Sequence, residues 1–347
     1  VLELLEQSQN VVPTPLLAAA ALAIGILMLV KGGSWLVDGS VGLARRVGVA
    51  RLIIGLTVVA FGTSAPELAL NIMAVLKDNG ELSFGNVVGS NIANIGLVLG
   101  IAALTKPFVV HSRILAKELP WLIFISVVMV AIALIPQQGL TLDRQGVGFG
   151  YTWPQGLALL ALFVLAVRLW FVTAEHEVAD PLTKEAAEAT EGEPTMSMRA
   201  SIFWFVFGLA VLLLGGNFAA EGAESFAAWA GLSQALIGLT VVAIGTSLPE
   251  VTTVIIACRQ GHPDIAVGNV IGSNLFNILL VLGVTSTIGP VPVPMWGFWD
   301  LGAMFVLTLL LVPLMRTHAN TLVRREGLLL VVLYIGYITW TVLREKM

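Results

Sequence analysis

The sequence predicts an all-α integral membrane protein with ten transmembrane helices, arranged as two inverted five-helix repeats. Three observations predict it. The 347 residues are 57% hydrophobic and 12% charged, with a mean hydropathy of +0.92, whereas an ordinary soluble domain carries about 25% charged residues. The apolar runs fit a hydrocarbon core of about 30 Å, which takes about 20 residues of helix to cross. Finally, residues 55–67 (GLTVVAFGTSAPE) return as residues 238–250 (GLTVVAIGTSLPE), identical at eleven of thirteen positions and 183 residues further on.

Taken in order, the spans cover about residues 14–37, 52–76, 84–104, 119–136, 151–173, 200–220, 234–258, 265–288, 296–315 and 327–343. Residues 1–12 lack a basic segment followed by a small-residue cleavage site, so the first apolar run is expected to be a retained span and not a signal peptide. The missing initiator Met implies a trimmed or modified start. The second and seventh spans carry the repeated stretch. The third and eighth carry its companion, residues 85–94 (GNVVGSNIAN) and 268–277 (GNVIGSNLFN), at the same offset. The first and sixth also match, with Gly32, Gly33, Asp38 and Gly39 against Gly215, Gly216, Glu221 and Gly222. Residues 174–199 form the one long polar segment, an acidic solvated linker between a first repeat (1–173) and a second (200–347). Trp153, Trp296 and Trp299 read as interfacial anchors, and Lys31 as a snorkelling side chain.

An offset of five spans is odd, so the second copy enters the membrane from the opposite side. Inverted repeats of this kind are a recurrent plan of secondary transporters, with the binding site near the midplane between them. With the N-terminus outside, the inner connections hold thirteen Lys and Arg and the outer ones four. The positive-inside rule therefore puts both termini outside and the linker in the cytoplasm.

The chemistry lies in the repeated stretches. A carboxylate at the bilayer centre costs at least about 2.5–3.5 kcal/mol and normally faces the bundle interior or a water-filled cavity. Glu67 and Glu250 sit at equivalent points of the two copies, and no basic residue in either copy is placed to neutralise them. On a continuous helix Thr63 and Ser64 would share the face of Glu67, as Thr246 and Ser247 would share that of Glu250. Pro66 and Pro249 deny a hydrogen bond to the carbonyls of Gly62 and Gly245, so the helix must kink or part there. Ser90 and Asn94, and likewise Ser273 and Asn277, are i and i+4 on one helical face. Gly85/Gly89 and Gly268/Gly272 are spaced for close helix packing. Ser90 can equally glue helices, and Asn86, Asn91, Asn269 and Asn274 can cap helices or bridge repeats as well as touch an ion. Carboxylate, hydroxyl, amide and carbonyl oxygens without nearby His or Cys suit Ca²⁺ or Na⁺ and not zinc or copper.

These motifs, G-T-S-x-P-E followed by G-N-x-x-G-S-N-x-x-N in each half, resemble the sodium/calcium exchanger branch of the calcium/cation antiporter superfamily, in its compact prokaryotic form. The resemblance implies a Na⁺/Ca²⁺ antiporter of the cytoplasmic membrane. In such a protein an eight-helix core holds the ions and the long first and sixth helices slide against it. By motif position it implies calcium ligation by the carboxylates of Glu67 and Glu250 and the carbonyls of Thr63 and Thr246. The sodium positions would add Ala60, Ser64 and Ser90 from one half, and Ala243, Ser247 and Ser273 from the other, with Asn94 and Asn277 bordering the middle. Many exchangers have Asp where this chain has Asn277, which bears on proton sensitivity and on the counter-ion.

H⁺/Ca²⁺ (or other divalent cation) exchange is the alternative, and a passive cation channel fits inverted repeats less well. An enzyme is not expected, since HExxH, Walker A and serine-histidine patterns are all missing. No cofactor is implied. The partners implied are Ca²⁺, Na⁺ or H⁺ and the lipid bilayer. The small dispersed net charge of −4 offers no nucleic-acid surface, and no obligatory protein partner is evident. The single Cys258, in an apolar run, is expected to be a core residue.

Overall fold

A computed structural model describes residues 15–138, 147–178, 196–229 and 247–344. The first helix, α1 (Pro15–Val47), is followed by a bent pair, α2 (Arg51–Thr63) and α3 (Ala65–Leu76), which meet at 44°. Next come α4 (Gly80–Thr105), α5 (Ile114–Ala133) and α6 (Trp153–Val178). The second half contains α7 (Met198–Trp229), α8 (Leu248–Arg259), α9 (Pro263–Ile288), α10 (Gly297–Arg316) and α11 (Arg324–Arg344). Among the described residues eight helices are long and apolar enough to cross a membrane, or nine if the bent pair is one span. The seventh expected span, 234–258, lies partly outside the described residues, which take in only α8 of it.

Two elements differ in length from expectation. The first span, expected to end near residue 37, continues to Val47, and the sixth continues to Trp229. At 1.5 Å per residue the 33 residues of α1 reach about 50 Å, well beyond the hydrocarbon layer. A ruler based on apolar length stops at the first charges, whereas a helix continues for as long as its backbone finds a partner to pack on.

That partner is α7, which runs antiparallel to α1. Gly25, Gly32 and Gly39 lie opposite Ala219, Leu212 and Phe205, while Gly208, Gly215 and Gly222 lie opposite Leu36, Leu29 and Leu22. Each glycine is seven residues, two turns, from the next. A Cβ at Gly25, Gly32 or Gly39 would fall 2.4–2.5 Å from a backbone nitrogen of the other helix, so only hydrogen fits. The pair rests on α8, with Gly33 against Thr252 and Ile256 and Gly216 against Pro249.

At the centre stand α4 and α9, buried over 78% and 94% of their spans, against 22–39% for the other single-helix spans. The backbones of α2 and α9 meet closely. Gly55 approaches the Ile265 carbonyl, Gly268 that of Leu52, and Gly272 that of Leu56. The close packing expected of Gly268 and Gly272 is thus present, while among the described residues no atom lies within 4 Å of a Cβ built at Gly85 or Gly89, and the counterparts of Leu52 and Leu56 lie outside the described residues.

Short strands tie the connections together. β1 (Phe108–Val109) pairs with β5 (Thr321–Leu322), joining the α4–α5 and α10–α11 connections. β2 (Pro136–Gln138), β3 (Val147–Tyr151) and β4 (Val291–Pro292) join the α5–α6 and α9–α10 connections. Arg51 hydrogen-bonds His262 at 2.8 Å, linking the start of α2 to the start of α9. In each case the linked connections are ones that the Lys and Arg count assigns to a single face. Asp300 is gripped by Arg344 at 2.8 Å and by the Tyr337 hydroxyl at 2.9 Å, which locks the start of α10 to the end of α11.

Candidate ion-binding site

The two acids share one local construction. At Ser64 the backbone leaves the helical region (φ −86°, ψ 4°), and Ser247 does the same (φ −91°, ψ 1°). Pro66 and Pro249 then fall in the first turns of α3 and α8, where a missing N–H costs nothing. The break therefore comes at the serine, two residues beyond Gly62, and the proline begins a helix in place of kinking one. Thr63 ends α2 and Ser64 is the joint, so Thr63 and Glu67 stand on two helices that meet at 44° and not on one continuous helix. Glu67 and Glu250 lie in first turns, where free N–H groups and the helix dipole favour a carboxylate.

Glu67 and Glu250 are 3% and 2% exposed. They lie close enough for the charge of Glu67 to act on Glu250. The Oε2 atom of each is buried without a partner. Among the described ion pairs none involves either acid. Adjacent buried carboxyls with orphaned oxygens are costly unless a positive charge joins them.

The companion stretches close the site. At Asn94 and at Asn277 the helices α4 and α9 widen into π turns, Asn94–Leu99 and Asn277–Val281. Turns of this kind recur at functional sites. The amides cross between the two helices in matching fashion, Asn94 Nδ2 donating to Asn274 Oδ1 at 3.1 Å and Asn277 Nδ2 to Asn91 Oδ1 at 3.4 Å. The Thr63 hydroxyl donates to Asn269 Oδ1 at 3.1 Å, and the Ser273 hydroxyl lies 3.5 Å from the same oxygen. The Ser64 hydroxyl and Asn277 Oδ1 are buried without partners.

Ala60, Thr63, Ser64, Glu67, Ser90, Asn94, Ser247, Glu250, Ser273 and Asn277 are all buried. Thr246 and Ala243 lie outside the described residues. For the asparagines left open between bridging and ion contact, bridging holds for Asn91, Asn269 and Asn274, while Asn86 accepts a hydrogen bond from Asn71. Asn71 itself went unnoticed in the sequence. Its signal was its place one turn beyond Glu67 within an apolar run, where it is wholly buried and holds the Glu67 carbonyl at 2.6 Å.

An all-helical, multi-pass membrane fold enclosing two buried acids among neutral oxygen donors defines a transporter of cations. The family described as "Sodium/calcium exchanger protein" matches residues 17–172 and again 200–343, and the chain belongs to the sodium/calcium exchanger family. Its members are exchangers and not enzymes. The chain is 35% identical to a putative antiporter, CaxA, of Alkalimonas amylolytica, over 93% of this chain and 98% of that one. It is 36% identical to the inner membrane protein YrbG of Escherichia coli (strain K12), over 94% and 96%. It is 31% identical to the sodium/calcium exchanger MaX1 of Methanosarcina acetivorans, over 91% and 96%. Among solved structures, the sodium-calcium exchanger NCX_Mj superposes with a TM-score of 0.78 at 28% identity, covering 94% of this chain and 99% of that one.

Proposed function

We propose that the chain is a Na⁺/Ca²⁺ antiporter that carries calcium and sodium alternately through one central site. The observation that carries this reading is the neighbouring pair of buried acids, Glu67 and Glu250, each with an oxygen lacking any partner. Two carboxylates neutralise one Ca²⁺ or accommodate Na⁺ ions in its place. They do not hold both loads, and that exclusion is what couples the two fluxes. Calcium is bound by these carboxylates and the Thr63 and Thr246 carbonyls. Sodium uses Ala60, Ser64, Ser90, Ala243, Ser247 and Ser273, with Asn94 and Asn277 beside the middle of the site.

The same proposal takes the chain as ten spans in two inverted repeats joined by a cytoplasmic linker (174–199), with both termini outside a prokaryotic inner membrane. The family match to each half separately supports the duplication. The antiparallel α1–α7 pair then slides as one body past the core, exposing the acids to each face in turn. Three Na⁺ per Ca²⁺ would move one net charge per cycle.

The test is Ca²⁺ uptake into proteoliposomes driven by an imposed sodium gradient. Glu67→Gln or Glu250→Gln leaves one carboxylate for a doubly charged cargo, and uptake is expected to fall by about a hundredfold or more. Full uptake by either variant would defeat the site assignment. H⁺/Ca²⁺ exchange is the second reading, favoured by unpaired carboxyls that can take a proton as readily as Na⁺. It predicts uptake under a pH gradient without sodium.

A further inference from the structure

The two halves are not equivalent on either side of the acids. In α4 the polar face that carries Ser90 and Asn94 continues one turn further through Asn86 to Ser83, at spacings of three and four residues. The mirror positions in α9 are Asn269 and then Ala266. In α3 Asn71 follows Glu67 by one turn, where the mirror position in α8 is Val254. At these positions the first half holds two polar side chains, Asn71 and Ser83, where the second has apolar ones, while α8 carries Thr253, wholly buried and likewise with an unpartnered hydroxyl, where α3 has Leu70.

Asn71 and Ser83 are wholly buried, and both keep an oxygen without a partner. The Asn71 amide nitrogen donates to the Glu67 carbonyl and to Asn86 Oδ1, each at 2.6 Å. A backbone carbonyl only accepts, so it fixes which end of the amide is nitrogen, and Asn71 Oδ1 is the atom left orphaned. Ser83 is 0% exposed and its hydroxyl likewise has no partner. Most buried helical hydroxyls here behave differently. Ser40, Thr57, Ser126, Thr285, Ser286 and Thr308 all bond back to the carbonyl four residues earlier. Asn86 is only half-buried, so the row includes a partly accessible amide one hydrogen bond from Asn71.

We propose that Asn71 and Ser83, with Asn86, form an entry station for hard cations between the α3–α4 face and Glu67. Neutral amide and hydroxyl oxygens replace part of the hydration shell there without trapping the ion, which then passes to the carboxylates. The inference rests on the assignment of Glu67 to the ion site. It adds that the first half loads through side chains that its mirror positions, Val254 and Ala266, do not offer, while the orphaned hydroxyl of the second half, Thr253, stands at a different place, three residues after Glu250.

The test installs the mirror residues, Asn71→Val and Ser83→Ala, in the full chain reconstituted with known sidedness, and measures half-saturation for Ca²⁺ and for Na⁺ from each face. Half-saturation from the α3–α4 face is expected to rise about three- to tenfold for both ions, the worth of one or two polar contacts. From the other face it should stay within about twofold. Asn71→Ser, which keeps an oxygen, should recover most of the loss. Equal shifts at both faces would mark a structural role and overturn the proposal, as would no shift at either. Should Asn71→Val fail to fold, Ser83→Ala carries the same comparison alone. Glu67→Gln run in parallel separates the two ideas. If it abolishes exchange while the entry variants change nothing, only the entry station falls; if it leaves exchange intact, the central site falls with it.

Discussion

At the scale of single residues, membrane hydroxyls and amides that look alike in sequence separate by what they bond. Thr57 satisfies its own helix at 2.6 Å, while six residues on Thr63 reaches across to Asn269 at 3.1 Å. The acids, Thr63, Ser64, Ser90, Asn94 and their partners were legible because the duplication marks them. Asn71 was not, because it has no duplicate. The i, i+4 face drawn through Thr63 and Glu67 crosses a 44° joint at Ser64 that the sequence marked only by its proline. Outside the membrane, His262 accepts a hydrogen bond from Arg51 at 2.8 Å, so its ring is neutral. Burial first, then the charges of Arg51 and Arg45, pull its pKa below the usual histidine value, against a smaller opposing effect of Asp264. The folded protein thus takes up a proton less readily than the unfolded chain. The stabilisation is whole above about pH 6.5 and is lost as pH falls below it. Melting in detergent is expected to drop between about pH 7 and 5.5, and the drop should shrink in His262→Gln.

At the scale of elements, the glycines of α1 and α7 show what pattern reading catches and what it passes over. Matching the halves picked out Gly32 and Gly39 against Gly215 and Gly222. The seven-residue spacing that makes them a packing seam emerges only once the helices are seen side by side. The π turns at Asn94 and Asn277 had no sequence signal apart from their equal offset. Gly32→Ala would put a carbon 2.5 Å from the Leu212 nitrogen. That overpacking is expected to cost about 2 kcal/mol or more, read as a lowered melting temperature in detergent. Among the described residues nothing lies within 4 Å of the Cβ position of Gly336 on α11. Gly336→Ala should therefore hold or raise the melting temperature, since alanine is the better helix former by about 1 kcal/mol.

At the scale of the whole molecule, composition and span length were enough for the class, and the repeats for the buried residues that line the candidate site. The ends of the long helices and the tying of connections by short strands were not visible, because both depend on partners distant in sequence. The strand pairings bear on sidedness. The connections around Lys106 and His318 are joined through β1 and β5, whereas the connection at Lys77 belongs to the set that the Lys and Arg count places opposite. Single cysteines replacing Lys106 and His318 are expected to react with an impermeant maleimide from one side of oriented vesicles, and one replacing Lys77 from the other. The native Cys258 is buried and should stay silent. Labelling of all three from one side would refute the topology.

The glycine seam has a bearing on ancestry. Three of its glycines come from each half, at corresponding positions, and the two strips interlock head to tail. On the proposed two-repeat reading, a half-length forebear that inserted in both senses would have met, in its upside-down twin, the same strip it carried itself. Fusion of the two genes would then have joined by a peptide link what already fitted as a pair, and left each half free to diverge without losing its mate.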